Sequence, residues 1–180
     1  MLESRIFSVR KAFSKSMKKE PLNFLFQTNA FTIMAMELEE FHMHVGEILM
    51  YCQCIEHDVK YIYAFMADGG FKENMIRLEE ERLTLGQIVH LLKEYDQSWE
   101  EPFLSEEDYE TFFEIVHKRN YYAHHVYLSF CYLDDEENFN YSFERESKTI
   151  LKDLEVLSKL YDKVEDKRLE YMKNDLDLRY

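Results

Sequence analysis

Residues that favour tight turns or break helices are scarce in this chain. Its 180 residues include four glycines and two prolines, which argues against a β-rich fold with many tight turns. Leucine, glutamate, lysine, methionine and aromatic residues recur at helical spacings instead. Because 46% of the residues are hydrophobic and 16% are aromatic, the chain can fill the core of one domain. The sequence therefore predicts an all-α fold.

Long apolar runs are also absent. No apolar run reaches the roughly 18 residues that a membrane-spanning helix needs. The N-terminus carries charges and lacks the apolar segment and small-residue cleavage site of a secretion signal. We therefore expect no membrane association and a cytoplasmic location.

The three cysteines and the histidines are poorly spaced for disulfides or metal binding. Cys52 and Cys54 would point about 160° apart on a helix, and with Cys131 they are expected to be reduced, semi-buried thiols. His42 and His44 would lie about 200° apart, which does not suit a shared ion. The sequence also lacks glycine-rich phosphate loops, serine elbow motifs and paired-cysteine redox motifs. No metal and no cofactor are expected.

The charge is strongly negative and unevenly distributed. The formal net charge is −14, yet residues 1–30 hold six basic and two acidic side chains. The other 150 residues hold 34 acidic and 16 basic side chains, a net charge of −18. Residues 1–25 are predicted to form a basic helix or arm, which either contacts RNA or a partner or packs on the domain. The acidic remainder disfavours nucleic-acid binding and favours docking of a basic partner.

A long helix is predicted from about residue 30 to residue 67. Thr28 or Asn29 would cap its start, and Gly46 is the expected point of a bend or break. Asp68-Gly69-Gly70 would end it, since glycine is favoured just past a helix C-terminus.

A short charged helix and two helices with capping residues at their starts should follow. Residues 72–82 read as a short charged helix, and Thr84 would cap a helix over residues 85–95. Ser105, followed by three acidic residues, marks the start of another helix because a capping hydroxyl and first-turn acids stabilise a helix N-terminus.

The last third of the chain is predicted to close with one long helix. After Val126, a continuing helix and then a loop are expected, with a short hairpin involving Asn140–Phe143 as the alternative. Residues 134–138 read as a solvated break. From about Ser142 to Lys173, apolar residues at helical spacing are Ile150, Leu151, Leu154, Leu157, Leu160, Tyr161 and Val164.

An arginine interrupts the apolar side of the helix that follows Ser105. On a helical projection Arg119 falls near the middle of the apolar arc, Asn120 and His124 lie along its edge, and Tyr121 and His125 lie opposite. Burying an unpaired charge is costly, so Arg119 needs an acidic partner, a route to solvent or a cleft shared with another subunit. The apolar arc consists of Phe112, Ile115, Val116, Tyr122, Ala123 and Val126.

The segment Arg119-Asn120-Tyr121-Tyr122-Ala123-His124 resembles the Arg-polar-x-x-x-His signature of HEPN domains, helical proteins of which many are metal-independent endoribonucleases. Residues 56–63 resemble an early helix of that family, with a glutamate at Glu56, and residues 84–92 resemble the helix that often follows. The resemblance covers roughly residues 45–130. It implies a single-domain helical bundle of HEPN type over residues 28–175, here with a long C-terminal helix.

The resemblance also implies a chemistry, namely RNA cleavage without a metal at a composite site of a homodimer. The ribose 2′-hydroxyl would attack the adjacent phosphate, leaving a 2′,3′-cyclic phosphate and a 5′-hydroxyl. His124 would transfer protons, Arg119 would stabilise the phosphate oxygens, and Asn120 would orient His124 or contact phosphate. Glu56 and Tyr121 would support the site, with Tyr121 placed to stack on a base. Proteins of this type often serve as toxins or phage-defence effectors under an antitoxin or regulatory partner.

Two other interpretations remain open from the residues. In the first, Arg119 pairs with an acid such as Glu56 and His124 bonds to a backbone carbonyl, so both residues are structural. In the second, the chain is a non-catalytic HEPN-fold binding or dimerisation module that recognises a protein or a nucleotide. The net charge of −14 favours the second interpretation over catalysis.

Overall fold

The computed structural model describes residues 36–177, with side chains described as far as Lys173. Those residues form five α-helices and a 3-10 turn and contain no strand, which confirms the all-α prediction. The basic arm at residues 1–25 and the cap at Thr28 or Asn29 lie outside the described residues. The elements are α1 (Leu38–Met66), α2 (Phe71–Glu81), α3 (Leu85–Asp96), α4 (Glu106–His124), the 3-10 turn (Val126–Ser129) and α5 (Glu136–Asp177).

Helix α1 is continuous over its 29 residues. Its buried stripe repeats every three or four residues, as an amphipathic helix requires, and comprises Phe41, Val45, Ile48, Cys52, Ile55, Val59 and Ile62. The helix passes through Gly46, so the predicted break there is wrong. A glycine inside a helix costs about 1 kcal/mol, whereas each buried Ile or Phe contributes about 1.5–3 kcal/mol, so the stripe outweighs it.

Glycines and a buried asparagine end α1 where the sequence predicts. Gly69 and Gly70 have φ angles of 108° and 97°, a region that glycine enters without a Cβ clash. Asn74, buried on α2, donates its side-chain amide to the carbonyl oxygens of Ala64 at 3.1 Å and Ala67 at 2.9 Å. These bonds satisfy carbonyls that lack partners at a helix C-terminus, and they fix α2 against the end of α1.

Both predicted helix caps are present. The side-chain oxygen of Gln87 accepts bonds from the backbone N–H and the hydroxyl of Thr84, each at 2.9 Å. At the start of α4, Ser105 accepts from the backbone N–H of Asp108 at 3.2 Å, and the Asp108 carboxylate accepts from the Ser105 N–H at 2.7 Å. These bonds satisfy N–H groups that have no partner inside the helix.

A buried carboxylate fixes the loop between α3 and α4. Asp96 accepts hydrogen bonds from the backbone N–H groups of Phe103 at 2.9 Å and Leu104 at 3.2 Å, and from the hydroxyl of Tyr109 at 2.8 Å. Since a loop contact and an α4 side chain share one carboxylate, the start of α4 is tied to the end of α3.

Helix α5, 42 residues long, makes the most extensive helix-to-helix contact of the described region by packing along α1. It begins at Glu136, six residues before the predicted start at Ser142. The carboxylate of Asp135 accepts from the backbone N–H of Asn138 at 3.2 Å, so the supposed break at residues 134–138 is the helix start. The alternative hairpin at Asn140–Phe143 is therefore wrong, because these residues are helical.

Two apolar positions predicted for the core are exposed. Leu151 on α5 is 50% exposed, and Ala123 on α4 is also exposed. Ile150 and Leu157 are buried as expected. Exposure of Ala123 is inexpensive because its side chain is a single methyl group.

Candidate functional site

Helix α4 is held in one rotation by hydrogen bonds to buried acids of α5. Asp153 accepts from the ammonium of Lys118 and the hydroxyl of Tyr122, each at 2.8 Å. Glu146 accepts from the hydroxyl of Tyr121 at 2.9 Å. Unsatisfied buried carboxylates would be costly, so these bonds set which face of α4 is turned toward α5.

Arg119, the residue after Lys118, points into a cavity on another side of α4. Arg119 is half-buried and lines a cavity of about 380 Å³ that α1, α2 and α4 share. The other lining residues are Gln53, Glu56, His57 and Lys60 of α1 and Met75, Leu78 and Glu79 of α2.

Arg119 has no hydrogen bond or ion pair with any residue in the described part of the chain. Its guanidinium nevertheless acts on the neighbouring thiol of Cys52. Burial raises the pKa of Cys52 to about 11, and the positive charge of Arg119 opposes that rise. Arg119 therefore brings a cation to the cavity wall, beside the core, with no ion-pair partner among the described residues.

The structural interpretation that pairs Arg119 with Glu56 is wrong for the described residues. Glu56 instead accepts from the ammonium of Lys60 at 2.7 Å, one turn along the same helix. A partner four residues away on one helix is within reach without bridging two helices. Glu56 and Arg119 share the cavity without contacting each other as an ion pair.

Asn120 and His124 are exposed and do not line the cavity. His124 ends α4, and its ring packs edge-on against His125 with 6.2 Å between the ring centroids. The side chains of Asn120 and His124 form no hydrogen bond with the described residues, so the alternative in which His124 bonds to a backbone carbonyl is not observed there. His124 lies five positions after Arg119 on the helix, which places them about 140° apart around the axis.

Tyr121 has a different position from the one the sequence suggests. It is half-buried against α5, and both burial and the hydrogen bond to Glu146 raise its pKa. Its hydroxyl is therefore directed toward α5, and the prediction that Tyr121 lies opposite the apolar arc is wrong. Stacking of its ring on a base stays a prediction. The partner of Tyr121, Glu146, lies 25 residues further along the chain, so the sequence around Tyr121 does not predict this contact.

Most cavity residues were missed by sequence reasoning. The signal on α1 is a polar stripe at positions 53, 56, 57 and 60, which lies beside the buried stripe and shares one helix face. One member, His57, donates from Nδ1 to the buried Asp58 at 2.8 Å, which fixes the imidazole and leaves Nε2 for another partner. The α2 residues carried no comparable signal, because two of the three read as ordinary core positions.

Neither a metal cluster nor a membrane-spanning helix occurs between residues 36 and 177. No group of three or more His, Cys, Asp or Glu residues there is placed to hold a metal ion. No helix there is both long and apolar enough to cross a membrane. Comparison of the chain with models of protein families, with curated proteins and with solved structures found no match.

Proposed function

We propose that this protein is a metal-independent endoribonuclease of HEPN type that acts in the cytoplasm as a homodimer. The observation that carries the proposal is Arg119, a half-buried guanidinium at a cavity without an ion-pair partner among the described residues. A partly buried cation is stabilised by an anion, and the planar fork of arginine matches two phosphate oxygens. RNA supplies such an anion at every linkage.

The proposed reaction needs two groups besides Arg119. The imidazole of His124 takes the proton of the ribose 2′-hydroxyl, whose oxygen then bonds to phosphorus. The bond from phosphorus to the 5′ oxygen breaks, and that oxygen takes a proton from solvent water, so the products are a 2′,3′-cyclic phosphate and a 5′-hydroxyl. Asn120 lies four residues before His124 on the same helix side, where it would contact phosphate or orient the imidazole. Arg119 would stabilise the charge that develops on the phosphate oxygens.

The placement of these groups supports the proposed dimer. Because Arg119 and His124 lie about 140° apart on α4, one protomer does not direct both at the same cavity. A second copy related by a two-fold axis would bring its own His124 toward Arg119. A toxin or phage-defence role, under an antitoxin or regulatory partner, is consistent with such an assembly.

The charge of the body favours a second candidate, a non-catalytic module that recognises a protein or a nucleotide. Residues 31–180 carry a net charge of −18, which repels the RNA backbone beyond the immediate site. In this case Arg119 would bind an anionic group of a ligand without any cleavage.

Cleavage of labelled single-stranded RNA in excess EDTA tests the first candidate. We expect the wild type to generate cyclic-phosphate ends, and His124→Ala and Arg119→Ala each to lower the rate by about 10²-fold or more, as loss of an acid–base or charge-stabilising group does. End analysis by mass spectrometry identifies the cyclic phosphate.

Matched variants separate catalysis from surface charge. His125→Ala removes the neighbouring exposed imidazole, and Lys152→Ala removes an exposed cation of α5; both should cleave like the wild type. Absence of cleavage by a folded, dimeric wild type would favour the non-catalytic module. Cleavage that survives both Arg119→Ala and His124→Ala would contradict the assigned residues.

A further inference from the structure

The cavity next to Arg119 has polar groups at its wall that make no bonds with the described residues. The side chains of Glu79, which is exposed on α2, and of Arg119, which is half-buried on α4, have no hydrogen bond or ion pair there. The other two charged groups, Glu56 and Lys60, satisfy each other at 2.7 Å. The cavity therefore offers one cation and one carboxylate, on different helices, for a ligand.

The rest of the lining suits a flat, partly apolar ligand. Leu78 is buried and Met75 is half-buried, and both line the cavity from α2. A thioether side chain adapts well to an aromatic ring. The volume of about 380 Å³ lies within the roughly 300–1,000 Å³ of small-molecule sites.

We propose that this cavity binds a guanosine monophosphate unit. The phosphate would accept from the guanidinium of Arg119, and the carboxylate of Glu79 would accept from the guanine. An ionised carboxylate only accepts hydrogen bonds, and guanine is the common base whose pairing edge presents two adjacent donors, N1–H and the N2 amino group. Adenine and cytosine present one amino group beside an acceptor, and uracil presents one N–H between two acceptors.

The balance of charge distinguishes this ligand from a simple anion. With Glu56 and Lys60 paired, Glu79 offsets the charge of Arg119, so inorganic phosphate gains little from the cavity as a whole. A nucleotide uses both groups because it carries negative charge at one end and hydrogen-bond donors at the other.

This inference deepens the proposed function and rests on it for one point, that the unit belongs to an RNA strand. The same unit also occurs as a free nucleotide. If RNA is the source, the base next to the cleaved phosphate is read in the cavity, and cleavage should occur beside guanosine.

Calorimetric titration of the full chain with nucleoside monophosphates tests the inference without any cleavage. We expect GMP to bind about tenfold more tightly than AMP, CMP or UMP, since a charge-assisted hydrogen bond to the base is worth at least that factor. IMP, which lacks the N2 amino group, should lose much of the advantage. Guanosine without phosphate should bind more weakly than GMP, and Arg119→Ala should remove that difference.

A neighbouring carboxylate provides the matched control. Glu79→Gln should abolish the preference for GMP over AMP, whereas Glu80→Gln, at an exposed position outside the cavity lining, should preserve it. Equal binding of all four nucleotides, no binding of GMP, or an unchanged preference in Glu79→Gln would overturn the guanosine site.

Further experiments identify the source of the guanosine unit and distinguish the guanosine site from the proposed nuclease activity. A pentanucleotide RNA with one central guanosine that binds more tightly than GMP identifies RNA as the source; GMP binding at least as tightly identifies the free nucleotide. Selective GMP binding without RNA cleavage would keep the guanosine site and count against the nuclease. Cleavage without preference for guanosine, by a protein that does not bind GMP, would keep the nuclease and overturn the guanosine site.

Discussion

The side chain of Asp96 ties the start of α4 to the end of α3. Its buried carboxylate accepts from two backbone N–H groups and from Tyr109. Burial and the hydrogen bond to Asp96 raise the pKa of Tyr109, so the phenol remains a donor at neutral pH. Removal of the carboxylate would leave two buried donors, the N–H of Leu104 and the hydroxyl of Tyr109, and one partly buried donor, the N–H of Phe103, unsatisfied.

Asp96→Ala is therefore expected to lower the free energy of unfolding by about 3 kcal/mol or more, since each unsatisfied buried donor costs about 1–3 kcal/mol. Asp96→Asn keeps one acceptor oxygen and should cost about half as much. Urea unfolding monitored by circular dichroism measures both. Asp134→Ala, at an exposed position, should change the free energy by less than about 0.5 kcal/mol. Equal losses in the three variants would contradict the role of Asp96.

Residue environments on α4 were only partly predictable. Arg119 falls among apolar side chains because of helical periodicity, which is a local property. The partners of Tyr121 and Lys118 lie 25 and 35 residues further along the chain, so the pattern of α4 alone did not identify them. Glu56 was linked to Arg119 by chemical type, whereas Lys60, four residues away, forms the observed pair.

At the scale of elements, helix starts were predicted where capping chemistry is compact. Thr84 and Ser105 each bond to a residue three positions later, so a short stretch of sequence contains the whole capping motif. The start of α5 was missed because acids at residues 134–138 were interpreted as solvated loop. The same acids stabilise a helix when they lie in its first turn, and Asp135 supplies the cap. Only the packing of Phe139 and Phe143 on the core decides between the two interpretations.

Ser105 allows a quantitative test of one cap. Ser105→Ala should lower the free energy of unfolding by about 1 kcal/mol, whereas Ser105→Gly should cost a few tenths of that, because glycine also tolerates the cap conformation. Chemical denaturation of both variants measures the difference. Thr111→Ala, inside α4, removes a hydroxyl that bonds only to the carbonyl of Glu107 one turn earlier and serves as the control. A larger loss in Ser105→Gly than in Ser105→Ala would contradict the cap.

At the scale of the whole molecule, the net charge of the body differs from the local charge of the cavity. The body is strongly acidic, with a net charge of −18 over residues 31–180, whereas the cavity balances two cations against two carboxylates. Composition predicted the first property directly. The cavity could not be predicted, because it exists only where α1, α2 and α4 meet, and their arrangement depends on contacts such as those of Asn74 with Ala64 and Ala67.

Mixing two inactive variants tests whether two protomers share each site. In a composite site, Arg119 comes from one protomer and His124 from the other. A dimer of one Arg119→Ala protomer and one His124→Ala protomer then has one site with both residues intact. Random exchange after unfolding and refolding should recover about one quarter of the wild-type cleavage rate, because half of the dimers are mixed and each has one of two sites. Refolding either variant alone should recover none. If cleavage stays absent in a mixture whose mixed dimers are verified by native mass spectrometry, both residues act within one protomer.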